Sequence, residues 1–350
     1  MDRAHDLGVA EAPMPAPRNA AGVASLSPVA LTTANVLALQ RRIGNRGVGR
    51  VLARATGETF TNKKIQAPFD AFSGSVSDAQ KKALHKLDDS LTGVWTKLNW
   101  DDVAGSTAAR VLTPTIIDQG LLNVCASAAA LEEDAQNNAE DYVALVRECF
   151  ASGTVRGSRK VNDTLLGSSP YGSMDPSDWM MLAAIQDKAN YVRNFKGVPT
   201  TGSAPWYNRR GLDPEGTKTG NEAWILRTVD HCVEVVAYTC GLWGEVSETN
   251  TVSDLMRKYG SDVVVLVGND AGYLQNHGTG SGDGQDNHSV RLMSPVNFTN
   301  GRAEFTVFTW GKTLTLSWEL AKFKKWVYGY LVGSKKPGVL VSNDPSPGTD

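Results

Sequence analysis

Asp118-Gln119-Gly120-Leu121-Leu122-Asn123-Val124-Cys125-Ala126-Ser127-Ala128-Ala129-Ala130-Leu131 joins a polar turn to a run of small residues, with one cysteine where the two meet. The run favours a helix with a thin surface, one that can bury deeply against a neighbouring sheet. Unpaired backbone N–H groups give that helix start a partial positive charge, which favours a thiolate. Cys125 is therefore expected to titrate below the free thiol value of about 8.5. Gln119 stands six positions earlier, close enough in a turn to aim its amide at the oxygen of a tetrahedral intermediate. With the Cys125 backbone N–H it would complete an oxyanion hole. A cysteine opening an Ala-rich helix is also a common buried packing residue, so the rest of the chain has to supply a base.

Downstream, His288–Ser294 and Arg302–Trp310 alternate as strands, and Asn297–Gly301 between them carries a hairpin signal. His288 is the candidate base. His231-Cys232 is a rival pair, but adjacent residues on a helix point in different directions and cannot serve each other. Cys149 and Cys240 read as packing residues. His277 lies in a patternless loop, 276–287, either gating access or simply solvated. The Gly278–Gly284 portion is similar to calcium-binding repeats but occurs once, which reads as a solvated loop.

Around this lie recognisable start signals. Asp175-Pro176-Ser177-Asp178 puts an acidic cap before a proline at the first helical position, predicting a helix with an apolar stripe of Met181, Leu182, Ile185, Ala189 and Val192. Residues 193–220 read as a long surface loop, Glu222–Leu242 as helix, Val252–Tyr259 as helix and Asp262–Val267 as a fully buried strand. Towards the N-terminus, Ser77–Leu98 suggests a helical hairpin and 55–75 a linker. The expected division is a leader over 1–56, a linker and helical segment over 57–99, a catalytic domain over 100–335 and a loose tail over 336–350.

Composition limits the function classes. The 350 residues carry 35 Lys and Arg against 37 Asp and Glu, a net charge of −2. No global basic field argues for nucleic acid or an anionic membrane. Four cysteines without a C-x-x-C pair fit neither a disulfide framework nor a zinc site. No apolar run of membrane-spanning length is present, and the sequence after Met1 predicts no secretory signal peptide. No metal or cofactor is implied.

Gln-Gly-x-x-x-x-Cys opening a helix resembles the nucleophile motif of papain-like cysteine peptidases, and Gln119-Gly120-x-Leu122-x-x-Cys125 resembles its calpain-type version. Asp178-Trp179 through Asp187-Lys188-Ala189 and Tyr191 is similar to a calpain helix. Asn287-His288-Ser289-Val290 resembles the strand that supplies the base, and Phe308-Thr309-Trp310-Gly311 falls where these families carry Asn-Pro-Trp-Gly or Asn-Ser-Trp-Gly. The order holds across roughly half the chain. The resemblance implies an α+β, papain-like fold, with a helical subdomain carrying the cysteine packed on an antiparallel sheet carrying the histidine. It also implies Cys125 as nucleophile, His288 as base, Gln119 at the oxyanion and Trp310 as a shield. One departure stands out: the Asn that orients the imidazole would fall at Phe308, which cannot hydrogen-bond a ring N–H. Three outcomes stay open. The site works as a dyad under Trp310; or Asp286, Asn287, Thr306 or Asn297 supplies the acceptor; or the domain is inactive.

Between Glu11 and Glu58 no acidic residue occurs, and Arg42, Arg46, Arg50 and Arg54 repeat every four positions, lining one face if a helix forms. Leu39-Gln40-Arg41-Arg42-Ile43-Gly44-Asn45-Arg46 to Leu52 resembles an element of bacterial proteins linked to extracellular contractile injection systems. There it precedes varied toxin domains and is associated with cargo loading. The resemblance implies an effector made in a bacterial cytoplasm, loaded into the particle lumen through its leader, and delivered to cleave a protein in a target cell. Rival readings are a papain-fold deamidase or transglutaminase and a non-catalytic binding cargo. For the leader they are a transit peptide or a membrane-surface helix, the last weakened by Gly44, Gly47 and Gly49.

Overall fold

The computed structural model describes residues 58–72, 74–120, 122, 124–189, 195, 197–198, 219–239, 246–270, 274 and 287–340. The basic leader, most of loop 193–220, Cys240, His277, the Gly-rich segment, Asp286, the Asn287 side chain and the tail from 341 lie outside the described residues.

Three helices open the structure: α1 (Lys63–Ala71), α2 (Asp78–Asp88) and α3 (Trp100–Leu112). In α1, Ile65 and Phe69 sit four residues apart and are both buried, so the stretch read as a linker packs on α3 instead. Ser77 and Gln80 form a reciprocal capping box at the start of α2. The helical hairpin expected over Ser77–Leu98 is not formed. After α2 the chain runs without helix to Asn99, held where the Trp95 indole donates to the Cys149 carbonyl (2.8 Å) and packs edge-on against Trp179.

Next come α4 (Cys125–Asn137), α5 (Ala139–Ser152), α6 (Asp163–Leu166) and α7 (Pro176–Ala189). Helix α7 begins at the expected proline, but it is buried on every side rather than along one stripe. Helix α8 (Thr219–Thr228) ends well before Leu242. His231 takes a left-handed φ of 55°, and Glu234–Thr239 becomes strand β1. Val235, Val236, Tyr238 and Thr239 are β-branched or aromatic, and pairing along β7 overrides the helical reading.

Helix α9 (Val246–Tyr259), strands β2 (Val263–Asp270), β3 (Asn287–Leu292), β4 (Asn297–Thr299), β5 (Arg302–Thr309) and β6 (Lys312–Glu319), helix α10 (Leu320–Trp326) and strand β7 (Val327–Ser334) complete the α+β fold. The sheet is antiparallel throughout, in the order β1-β7-β2-β3-β5-β4, with β6 paired to β5. The turn at Asn300-Gly301 joins β4 to β5, not β3 to β5 as the hairpin signal suggested. Alternation sorts the side chains between two cores. Val264, Leu266, Phe308 and Leu331 join the helical core that contains α4, whereas Val263, Val265, Val267, Val290 and Val307 face α9 and α10. Val339 and Leu340 are buried, and Glu234 accepts the backbone N–H groups of 338–340, so the first part of the expected tail is anchored. Among the described residues no helix is long and apolar enough to cross a membrane.

One buried ion pair fixes the turn before α4. Arg110 of α3 grips Asp178 of α7 through Nε (2.9 Å) and Nη2 (2.7 Å), and Asp178 accepts the Asp118 backbone N–H (3.0 Å). Both side chains are almost fully buried, so removing one strands the other's charge. Arg110→Ala is expected to lower unfolding free energy in urea by about 3–5 kcal/mol; a loss below about 1 kcal/mol would contradict this account of the turn.

Candidate active site

Helix α4 is buried on all sides over 126–135, and its small residues let it lie close to β3, so its first residue reaches that strand. Strands β3 and β5 pair at Arg291↔Phe308 and Leu292↔Val307, and the Met293 N–H adds a bond to the Thr306 carbonyl, so the pairing ends on the other side, at Arg291. Beyond that point they part, and the Ser289 N–H donates to Cys125 Sγ (3.3 Å). The half-buried thiol thus occupies the open edge of β3.

His288 precedes that donor. Its ring stacks on Trp310 at 4.3 Å between centroids and 5° between planes, and its Nε2 meets Thr309 Oγ1 at 2.6 Å. Trp310 and Gly311 form the two-residue turn between β5 and β6, both with positive φ (45° and 66°). A Cβ on Gly311 would come within 3.1 Å of Asp118 Cβ, so the turn seats on the residue just before Gln119. Gly120 has a φ of 55°, and its N–H bonds Asp118 Oδ1 (3.0 Å). The buried Gln119 amide donates one N–H to the Leu122 carbonyl (3.1 Å), and a primary amide carries a second.

Thr309 was not among the orienting groups expected from sequence. On β3, Ser289 bonds Glu222 of α8 and Arg291 bonds Glu132 of α4, on the helical side, while Val290 and Leu292 face the opposite core; on β5, Phe308 joins the helical core and Val307 the opposite one. Alternation therefore puts His288 and Thr309 on one face and Phe308 on the other. Counting back two residues from Trp310 lands on the wrong face. Thr306 instead bonds Thr315 across the β5–β6 ladder, and Asn297 bonds Arg257, so neither reaches the imidazole. The rival pair is used elsewhere: His231 meets Asp141 at 2.7 Å, and Cys232 is buried beneath Gly333. Cys149 is fully buried.

Electrostatics corrects one expectation. Burial pushes the Cys125 thiol up to about 11, and the Glu222 carboxylate adds to the rise; hydrogen bonds from the Ser289 and Ala126 backbones oppose it without prevailing. The helix start does not produce a resting thiolate, because desolvation of the sulfur outweighs the N–H groups around it. Burial likewise holds the His288 imidazole down to about 4. Near neutral pH the thiol and the imidazole are both uncharged. Cys149 and Cys232 are pushed further up by burial, leaving Cys125 the most acidic of the described thiols. Glu222 and Ser289 are site residues that sequence reading missed; Glu222 lies in α8, distant in sequence from every motif, and only the packing of α8 on α4 brings it in. No group of His, Cys, Asp and Glu among the described residues is arranged to hold a metal ion.

The depressed imidazole sets a sign for stability against pH. Unfolded His288 takes up its proton near 6.5 and the folded residue only near 4, so the unfolded state gains protons first as pH falls. This contribution is intact above pH 6.5 and weakens by up to about 3 kcal/mol on descending to pH 4. Comparing the unfolding free energies of wild type and His288→Gln across that range should show the wild type losing ground at low pH. A pH-independent difference would mean that the imidazole is not held neutral.

No protein-family model, curated protein or solved structure matches the chain.

Proposed function

We propose that residues 100–335 form a papain-like cysteine hydrolase that cleaves peptide bonds. The chain as a whole would be a toxin-like effector loaded into a contractile injection particle through its basic leader. The observation that carries the enzymatic reading is the Ser289 N–H held on Cys125 Sγ, one residue from an imidazole fixed by Thr309 and Trp310. The cargo reading rests on the leader motif Leu39–Leu52 alone.

In this reading Thr309 Oγ accepts from His288 Nε2–H, which leaves Nδ1 as the basic nitrogen. The neutral thiol and imidazole become a reactive pair when substrate closes the opening. Cys125 Sγ adds to the scissile carbonyl carbon as its proton passes to Nδ1, and the oxyanion is met by the Cys125 N–H and the second Gln119 N–H. Collapse breaks the C–N bond, His288 returns the proton to the leaving amine, and a thioester remains. Water, deprotonated by His288, then releases the acid and restores the thiol. Trp310 covers one ring face and keeps bulk water off it.

Cys125→Ala is expected to abolish cleavage of target-cell proteins, read by intact mass, while leaving the far-ultraviolet circular dichroism unchanged. Thr309→Val should lower kcat by about tenfold to a hundredfold, and Thr309→Asn, which restores an acceptor, should recover most of it. Undiminished cleavage by Cys125→Ala would rule out the mechanism. A gain of ~1 mass unit on the substrate without cleavage would replace peptidase with deamidase on the same thiol chemistry.

A further inference from the structure

The Glu222 carboxylate in α8 accepts from the Ser289 hydroxyl, and the same serine's N–H holds Cys125 Sγ, so an acid stands one residue away from the nucleophile. Most buried acids among the described residues are matched by cations. Glu132 pairs with Arg291, Glu133 with Lys335 (2.9 Å), Asp134 with Arg156, Asp178 with Arg110 and Asp187 with Lys188. Among the described residues no Lys, Arg or His pairs with Glu222, although burial raises its carboxyl and only the Ser289 hydrogen bond opposes that rise. Both Asp230 carboxylate oxygens lack a hydrogen-bond partner, but that residue is completely enclosed and open to no ligand, whereas Glu222 is only half-buried.

A carboxylate with no cation beside it among the described residues is costly to an enzyme that must ionise a thiol, because like charges so close oppose each other. The cost disappears when a cation docks beside it. We propose that Glu222 is the specificity-determining residue of this site, receiving a substrate ammonium or guanidinium so that acyl groups flanked by a lysine or arginine side chain are selected. The bound cation cancels the acid's charge and allows proton transfer from the thiol, so recognition and activation occur together. A neutral substrate fills the opening but leaves the carboxylate opposing the thiolate. The substrate class rests on the peptidase reading; the charge environment of the thiol does not.

The test separates the two. Full-length protein is treated at pH 8 with cationic 2-aminoethyl methanethiosulfonate or anionic 2-sulfonatoethyl methanethiosulfonate, each of which forms a mixed disulfide and releases methanesulfinate. Rates are read on the Cys125 peptide by mass spectrometry, normalised to a small free thiol, with Cys125→Ala as the blank. Wild type should favour the cationic reagent by about tenfold or more, and Glu222→Gln should bring the ratio close to one. Glu222→Leu, which needs no hydrogen-bond partner, provides a second variant should the first fold poorly. In parallel, Glu222→Gln should lose about tenfold in kcat/KM on peptides with Lys or Arg beside the scissile acyl group, and little on neutral ones. A wild-type ratio near one, or a cation preference that survives both substitutions, overturns the proposal. A preference that vanishes in the variants, without peptide turnover by any of these proteins, supports the Glu222 assignment and overturns the peptidase reading.

Discussion

The parting of β3 from β5 is the constraint on which the site depends. A continuous ladder would use the Ser289 N–H for pairing and leave no opening for a side chain. Because pairing stops after Arg291↔Phe308, that donor turns to the Cys125 sulfur, while Thr309 reaches across the same gap to His288. An unpaired strand edge is ordinarily a liability. Here the mouth of α4 and one hydroxyl fill it. The Trp310-Gly311 turn then ties the far end of the gap to Asp118, so the glutamine turn, the helix start and the two strands meet within one small region.

Burial decides the protonation state of what gathers there. Sulfur and imidazole are both drawn out of water, and each is driven toward its neutral form, the thiol upward and the imidazole downward. A resting ion pair would need donors strong enough to replace the lost hydration. The site offers two backbone N–H groups to the sulfur and a hydroxyl to the ring, and an acid close by works against the anion. In the proposed hydrolase, charge separation would belong to the substrate-bound state, when the substrate's dipoles alter the balance.

How much of this is legible in the sequence depends on whether the signal is local. The small residues of 126–130 do bury α4 against the sheet, Pro176 does start α7, and Val263–Val267 is a strand buried on both faces. Each of these follows from a run of neighbours. The failures came where partners are distant in sequence. Strand β1 looked helical because its pairing with β7 is about a hundred residues away, and Ile65 and Phe69 looked like linker until α3 covered them. Thr309 was passed over because a linear motif count ignores which sheet face each position occupies; alternation along β3 and β5 would have indicated it. Glu222 carried no local signal at all. The chemistry of the thiol was misjudged for a related reason: a helix start is visible in sequence, but the depth of burial opposing it is not.

A helix whose sheet-facing residues are alanines has a weakness, since smooth surfaces permit sliding and rotation with little loss of contact area. Helix α4 counters this at its other end. Glu132, Glu133 and Asp134 are buried there, and they engage Arg291 on β3, Lys335 just past β7 and Arg156 after α5. Buried ion pairs add little net stability compared with apolar packing, but breaking one is expensive. Any shift of α4 along its axis would break three at once, in three different directions. The alanines let the helix come close and the acids set where it stops. Because Cys125 is the first residue of that same rigid rod, the position of its sulfur at the strand edge is determined about two turns away, by charges that never touch it.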